Sequence, residues 1–153
     1  MNFFYNIKQG IKNLIRWFPI IWNDYNWDHH YILVVLKKKL ELMEKAFRSD
    51  KAWGADSQKE ADNMRCAINL LDRMVKDDYL DEALKPFDKK YPDYKWDFKF
   101  EKDENGFGRM VNHDTLQQKE LMHQCFDEEE KLRDKDYDEL FDFLKEHIRE
   151  WWD

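Results

Sequence analysis

Helix-breaking residues are scarce in this sequence. Its 153 residues include only four glycines and three prolines, so there are few positions at which a helix has to end. Cysteine is scarce as well, and the two present, Cys66 and Cys125, do not make the disulfide framework of a small secreted protein. Both lie in helical patterns beside apolar residues. We therefore expect buried, reduced thiols in a cytoplasmic protein.

Long apolar runs and excess basic charge are also missing. No stretch approaches the roughly 18 uncharged apolar residues that a membrane-spanning helix needs. The apolar residues of Met1 to Trp22 are periodic and precede no small-residue cleavage site, so they do not form a targeting sequence. The net charge of -7 disfavours a general nucleic-acid binder, which needs a basic face to displace counterions from phosphates. We expect neither a membrane nor nucleic acid in general as a partner.

Acidic residues are absent from the first 23 positions, which contain Lys8, Lys12 and Arg16 and so carry +3. The rest of the chain therefore carries -7 minus 3, or -10. The basic N-terminal segment can pair with the acidic remainder of the chain, with a second copy of the chain or with an anionic partner. We expect a homo-oligomer.

Aromatic and charged residues are abundant, at 16% and 39% of the chain. This composition is typical of a well-ordered, helix-rich protein rather than of a disordered segment. The length suits one domain with a substantial core. We predict a single helical domain over residues 1–153, mainly α, built as an antiparallel bundle of about five helices.

The first predicted element is an amphipathic basic helix over residues 1–18, which Pro19 is expected to end. Apolar residues recur in it at alternating spacings of three and four: Phe4, Ile7, Ile11, Leu14 and Phe18. Core packing is the favoured interpretation, and a self-association seam is the next. A membrane-surface helix is the weakest, because only three positive charges are available and the acidic body would be repelled by anionic lipid.

A helical hairpin is predicted over residues 28–85. Asp28 is expected to cap a helix that runs to about Phe47, and the first half of this helix is expected to be the most buried part of the fold. A polar turn leads into the next helix, which begins near Ser57. A short helical turn from Tyr79 is predicted to end before Pro86.

The helical pattern breaks over residues 94–111. Tyr94, Trp96 and Phe98 alternate with charged residues, and Asn105-Gly106 is a strong hairpin turn. A small β-hairpin or an extended aromatic arm is predicted here. Helices are predicted again over residues 115–152, the first capped by Thr115 with Gln118 and a second starting near Asp136.

Between the first two helices lies an aromatic corner, residues Trp17–Asp28. Trp22, Tyr25 and Trp27 in this corner cannot easily all be hidden, and such rings give contact area at recognition sites. Arg16 or Arg109 could bind a phosphate or a carboxylate, and a base stacked between the rings would complete a nucleotide pocket. Recognition of a protein surface is equally consistent with these residues, and a purely structural corner also stays open.

Catalytic signatures are weak. The glycines match neither a phosphate-binding loop nor a dinucleotide fingerprint, and there is no nucleophile elbow. The best metal candidates stand at two predicted helix starts: His29, His30, His113 and Asp114. Adjacent helical residues point about 100° apart, so His29 and His30 would not face one ion. We expect helix caps and surface histidines, with no metal and no cofactor. A metal-dependent helical hydrolase acting on a nucleotide or phosphoester is the alternative.

Four segments together resemble a group of small proteins encoded by tailed bacteriophages. They are Trp17-Phe-Pro-Ile-Ile-Trp-Asn-Asp24 with Trp27-Asp28, Lys39-Leu-Glu-Leu-Met43, Ala83-Leu-Lys-Pro86 and His147-Ile-Arg-Glu-Trp-Trp-Asp153. The resemblance covers most of the chain and transfers no catalytic or binding residue. It implies action in an infected bacterial cytoplasm. Together with the aromatic corner, it leads us to expect a small accessory protein that sequesters a nucleotide-like ligand or inhibits a host or anti-phage defence protein.

Overall fold

The computed structural model describes residues 3–22, 24, 27–49, 56–96, 98–102, 104–112 and 114–152, without the side chains of residues 98, 109–112 and 152. Within these ranges the chain is mainly α-helical with one β-hairpin, which confirms the predicted fold class. The elements are α1 Phe3–Ile21, α2 His30–Phe47, α3 Ser57–Lys76, α4 Tyr79–Lys90, β1 Phe98–Lys102, β2 Gly108–Asn112, α5 Leu116–His147 and a final 3-10 turn, Glu150–Trp152.

The chain divides into two units. The first comprises Met1–Lys76 and Glu139–Asp153, and the second comprises Asp77–Asp138. The long helix α5 therefore contributes its first part to one unit and its last part to the other. The single domain over residues 1–153 stays a prediction.

Helices α2 and α3 pack against each other as the centre of the first unit. Ion pairs join them at Lys37–Asp72, Glu44–Arg65 and Arg48–Asp62. Since the residue numbers rise along one helix as they fall along the other, the two helices are antiparallel. The apolar side chains that this unit buries are Leu33, Leu40, Ala61, Met64, Ala67, Ile68, Leu71, Met74, Leu140, Leu144 and Trp151.

A buried carboxylate lies in the α2–α3 pair. Glu44 is only 4% exposed, and its Oε1 accepts hydrogen bonds of 2.9 Å from Arg48 Nε and from Arg65 Nε. Arg65 also donates to the second carboxylate oxygen, and Arg48 continues to Asp62 at 2.7 Å. Glu44 is thus fully paired across two helices, which removes most of the cost of burying its charge.

The predicted end of α1 at Phe18 is wrong, because the helix runs through Pro19 to Ile21. Proline removes one backbone donor, but near the end of a helix this costs a single hydrogen bond. The next turn still closes, with Trp22 N–H donating to the Phe18 carbonyl at 3.0 Å.

The predicted end of the fourth helix before Pro86 is also wrong. Helix α4 continues to Lys90 and carries Pro86 inside it. The residue that follows, Phe87, is 1% exposed, and burying a phenylalanine side chain contributes roughly 1.5–3 kcal/mol. Burial of Phe87 thus offsets much of the cost of the proline, and tertiary packing overrides the local signal.

The second unit has a small apolar cluster. Leu84 and Phe87 of α4 pack with Met122 and Cys125 of α5, and Tyr94 closes the cluster with its ring edge-on to Phe87 at a centroid distance of 4.8 Å. Two helices and the segment before β1 therefore share one core.

The predicted hairpin forms, but its strands are shorter than the aromatic alternation indicated. β1 and β2 pair antiparallel from Phe98 with Asn112 to Lys102 with Gly108, and Gly106 takes a positive φ of 80° in the connecting turn. Tyr94 and Trp96 precede the first strand. Tyr94 is held by the Phe87 ring and by a hydrogen bond from its hydroxyl to Asp114 at 2.9 Å, so packing takes it out of the strand.

The C-terminal residues form one helix of 32 residues instead of the predicted two. Its predicted cap is confirmed, since Thr115 N–H donates to Gln118 Oε1 at 2.8 Å and Gln118 N–H donates to Thr115 Oγ1 at 3.3 Å. No glycine or proline interrupts the segment. Asp136, predicted to start a new helix, is instead fully buried and accepts a 2.8 Å hydrogen bond from the Tyr79 hydroxyl.

Replacing Glu44 by glutamine should lower the free energy of unfolding by about 1–3 kcal/mol, since the buried group loses its charge while two arginines remain beside it. Urea denaturation followed by circular dichroism measures the change. The matched control is Glu41→Gln on the same helix, whose half-exposed pairs with Lys37 and Lys38 are worth less than about 1 kcal/mol. Equal effects of the two substitutions would contradict the central role of Glu44.

The two thiols should react with a disulfide reagent at very different rates. Cys66 is exposed, which corrects the prediction that it is buried, whereas Cys125 is buried. Burial also raises the pKa of the Cys125 thiol, so less of the reactive thiolate is present near neutral pH. We expect one thiol per folded chain to react rapidly and the second to react only after unfolding. Cys66→Ser should abolish the fast phase; loss of that phase in Cys125→Ser instead would contradict the burial of Cys125.

Candidate functional site

An open groove of about 710 Å³ lies where the aromatic corner meets the start of α2. Its volume falls within the range typical of binding sites. The described side chains that line it come from the corner and from the first two turns of the helix: Asp24, Trp27, Asp28, His29, Tyr31, Ile32, Val35 and Leu36.

The start of α2 fixes one end of the groove. Asp28 Oδ1 accepts a 2.9 Å hydrogen bond from the backbone N–H of His30, the first helical residue. The Asp28 carbonyl accepts from Tyr31 N–H at 3.2 Å. Asp28 therefore satisfies early donors of the helix, although the N-cap position is His29 and not the predicted Asp28. Trp27 precedes this anchored turn and forms part of the groove.

One wall of the groove is aliphatic. Ile32, Val35 and Leu36 are spaced three and four residues apart, so they share a face of α2. Ile32 is 68% exposed. The prediction that the first half of α2 is the most buried part of the fold is wrong, because α2 has more apolar residues than its contact with α3 can cover. The core takes Leu33 and Leu40, which leaves the second apolar face open.

The carboxylates are the charged groups that distinguish the described lining of the groove. Asp24 and Asp28 contribute two carboxylates and His29 an imidazole, while no lysine or arginine is found among the described lining residues. Carboxylates close to an apolar wall attract a cationic group and repel a phosphate. The groove thus has the opposite electrostatic preference from a nucleotide pocket.

Of the predicted ligand-binding residues, Trp27 is found among the described lining residues of this groove. Its side chain is 82% exposed. Trp22 is 71% exposed and rests against the Phe18 ring at 4.8 Å. Arg16 is exposed on α1 and is not among the described lining residues. Tyr25 lies outside the described residues, and so does the side chain of Arg109, whose backbone belongs to β2 in the second unit.

Sequence reasoning missed the aliphatic wall. The signal was present, since Ile32, Val34 and Val35 widen the apolar stripe of α2 beyond what one packing interface uses. By itself the width predicts deeper burial, whereas in the structure it corresponds to a second apolar face.

The described residues of the alternative metal site belong to two units, His29 and His30 to the first and Asp114 to the second. His29 lines the groove, while the His30 ring stands edge-on to Tyr31. Asp114 belongs to the second unit and accepts the Tyr94 hydrogen bond, and His113 lies outside the described residues. Across the described part of the chain, no three His, Cys, Asp or Glu residues are grouped so that they could hold a metal ion.

Alanine substitutions at Trp22 and Trp27 should each change the free energy of unfolding by less than about 0.5 kcal/mol, because both side chains are largely exposed. The matched control is Trp151→Ala, since Trp151 is 2% exposed and its removal should cost about 3–5 kcal/mol. Thermal unfolding of the three variants measures the difference. A loss at Trp27 comparable to that at Trp151 would mean that the corner is structural.

Comparison of the chain with protein-family models, with curated proteins and with solved structures gave no match. The resemblance to small proteins of tailed bacteriophages therefore rests on its four sequence segments and remains a hypothesis. None of the helices, over the part of the chain that is described, has the length and apolar character to cross a membrane.

Proposed function

We propose that this chain is a non-catalytic binding protein whose groove accepts apolar side chains of a partner protein. The observation that carries the proposal is the juxtaposition of two largely exposed apolar side chains, Trp27 and Ile32, in one groove. Tryptophan beside an aliphatic wall is a common centre of protein recognition, because it gives a large contact area with a polar N–H at its edge.

The shape of the groove supports a protein partner over a small ligand. Small-molecule sites typically enclose about 70–90% of the ligand surface, whereas this groove lies open along α2. Val35 and Leu36 extend the apolar wall by one helical turn beyond Tyr31 and Ile32. A surface of this form suits successive side chains of a helix or an extended segment.

The charge of the groove supports a partner segment with lysine or arginine beside its apolar residues. Asp24 and Asp28 would pair with such a cation at the edge of the apolar contact. A nucleotide-like ligand is the weaker alternative, since the two carboxylates oppose its phosphates and Arg16 is not among the described lining residues.

The resemblance to phage proteins indicates the class of partner. On this proposal the partner is a protein of the bacterial host, including the components of anti-phage defence, and the chain acts in the host cytoplasm as a homo-oligomer. Two free cysteines, one of them exposed, support a reducing compartment.

Substitution of the aliphatic wall should abolish capture of the partner. Ile32→Asp places a third carboxylate in the apolar contact, and Trp27→Ala removes its largest side chain. We expect each to reduce at least tenfold the amount of a specific host protein retained from a bacterial lysate, measured by quantitative mass spectrometry. The control is Lys39→Gln, which makes the same charge change as Ile32→Asp at an exposed position of α2. Calorimetry with the purified partner should show that Ile32→Asp and Trp27→Ala bind it more weakly than the wild-type chain and Lys39→Gln do.

The alternatives predict different outcomes in thermal unfolding with nucleotides and divalent metals, with and without chelator. A nucleotide-dependent rise in melting temperature that Arg16→Ala removes would support a nucleotide-sequestering protein instead. Loss of stability on chelation together with turnover would support the hydrolase, with His29 or His30, His113 and Asp114 as its metal ligands. A host protein retained equally by all variants would contradict the role of the groove.

A further inference from the structure

Helix α1 has a large apolar surface that is exposed in the described part of the chain. None of its 19 residues is buried. Eight large apolar side chains on it are 45–77% exposed: Phe3, Phe4, Ile7, Ile11, Leu14, Ile15, Phe18 and Ile21. An exposed apolar surface this continuous is unusual for a protein that stays alone in water.

The apolar residues of α1 follow a heptad pattern. Its apolar residues recur at alternating spacings of three and four, at positions 4, 7, 11, 14, 18 and 21. These are the positions that form the core between helices that pack side by side. Phe3, Ile15 and Trp17 flank this seam, so the apolar arc spans about 160° at 100° per residue. Pairing with a helix requires such a register, whereas a lipid surface requires only an apolar side.

The positive charges of α1 lie away from its apolar arc. At 100° per residue, Lys12 and Arg16 stand roughly opposite the middle of the arc, and only Lys8 lies near its edge. Helices that bind anionic lipid use basic side chains that reach the headgroups beside the apolar face. Here two of the three basic residues would point into water, and the chain as a whole carries -7. The charges thus disfavour lipid and leave the seam free for a second α1, whose own charges would lie on its outer side.

The size of the surface matches a stable interface between two copies. The exposed parts of the eight side chains offer on the order of 900 Å² of apolar surface, since a fully exposed aromatic side chain presents about 150–250 Å² and an aliphatic one somewhat less. A standard protein interface buries about 800 Å² on each partner. Pairing of like surfaces also gives the two-fold symmetry that is commonest among homo-oligomers.

We propose that α1 is the self-association element of this protein and that its apolar seam packs against the seam of α1 in a second copy. The contact is separate from the groove on α2. Lys12 and Arg16 of both helices face outward and only Lys8 lies near the edge of the seam. Most of the positive charge of the two helices therefore stays apart, and solvent screens it over a Debye length of about 8 Å.

Size-exclusion chromatography with light scattering tests the proposal. The wild-type chain should elute with at least twice its single-chain mass of 19.0 kDa at micromolar concentration. Ile11→Asp, at the centre of the seam, should return it to the single-chain mass and raise the dissociation constant at least about 100-fold. Asn13→Asp makes the same charge change on the polar side of α1 and should keep the wild-type mass. Trp27→Ala should keep it as well, which separates this contact from the groove.

Retained folding of Ile11→Asp is checked by cooperative urea unfolding followed by circular dichroism, because the α2–α3 pair belongs to the same unit as α1. A wild-type chain of single-chain mass would overturn the proposal. So would an oligomer that Ile11→Asp leaves intact. Binding of α1 to a lipid surface is tested by flotation with vesicles of phosphatidylcholine and phosphatidylglycerol at a ratio of three to one. Lipid binding would replace self-association if the wild-type chain is monomeric in buffer and floats with the vesicles while Ile11→Asp does not float.

Discussion

The pairing of α2 with α3 is the contact on which the first unit depends, and Glu44 holds it in register. Its carboxylate accepts hydrogen bonds from Arg48, the residue that follows α2, and from Arg65 on α3. A buried charge tolerates little displacement, because any shift of α3 would leave it unpaired. With α2 fixed in this way, its core face and its open face are fixed together, and the groove is a consequence of the same packing.

Apolar surface is distributed unevenly over the chain. α3 buries six apolar side chains, whereas α1 buries none. Both helices have the periodicity of an amphipathic element, so the difference lies in what each one meets. The open face of α2 and the seam of α1 are the two surfaces that we propose for recognition. The first has acidic residues beside it, and the second has most of its basic residues on the far side of the helix. A chain with two such surfaces can assemble with itself and still bind another protein.

Much of the fold was predictable because it depends on local chemistry. The cap formed by Thr115 and Gln118 and the hairpin turn at Gly106 are determined by neighbouring residues. The errors arise where distant residues compete with a local signal. Pro86 stays inside a helix because Phe87 is buried, and α5 continues past Asp136 because Tyr79 donates a hydrogen bond to that carboxylate.

The candidate site was predictable in part. Sequence alone selected the aromatic corner and the exposed tryptophans within it, since three indoles in a short segment exceed what a corner can bury. It also determined the helical class, the amphipathic character of α1 and the imbalance of charge between the two ends of the chain. Only the tertiary structure decided which apolar face of α2 stays open and that Arg16 does not line the groove. The physical reason is that periodicity shows which residues share a face of a helix, whereas burial depends on which faces pack together. Contacts between residues far apart in the chain determine which faces those are.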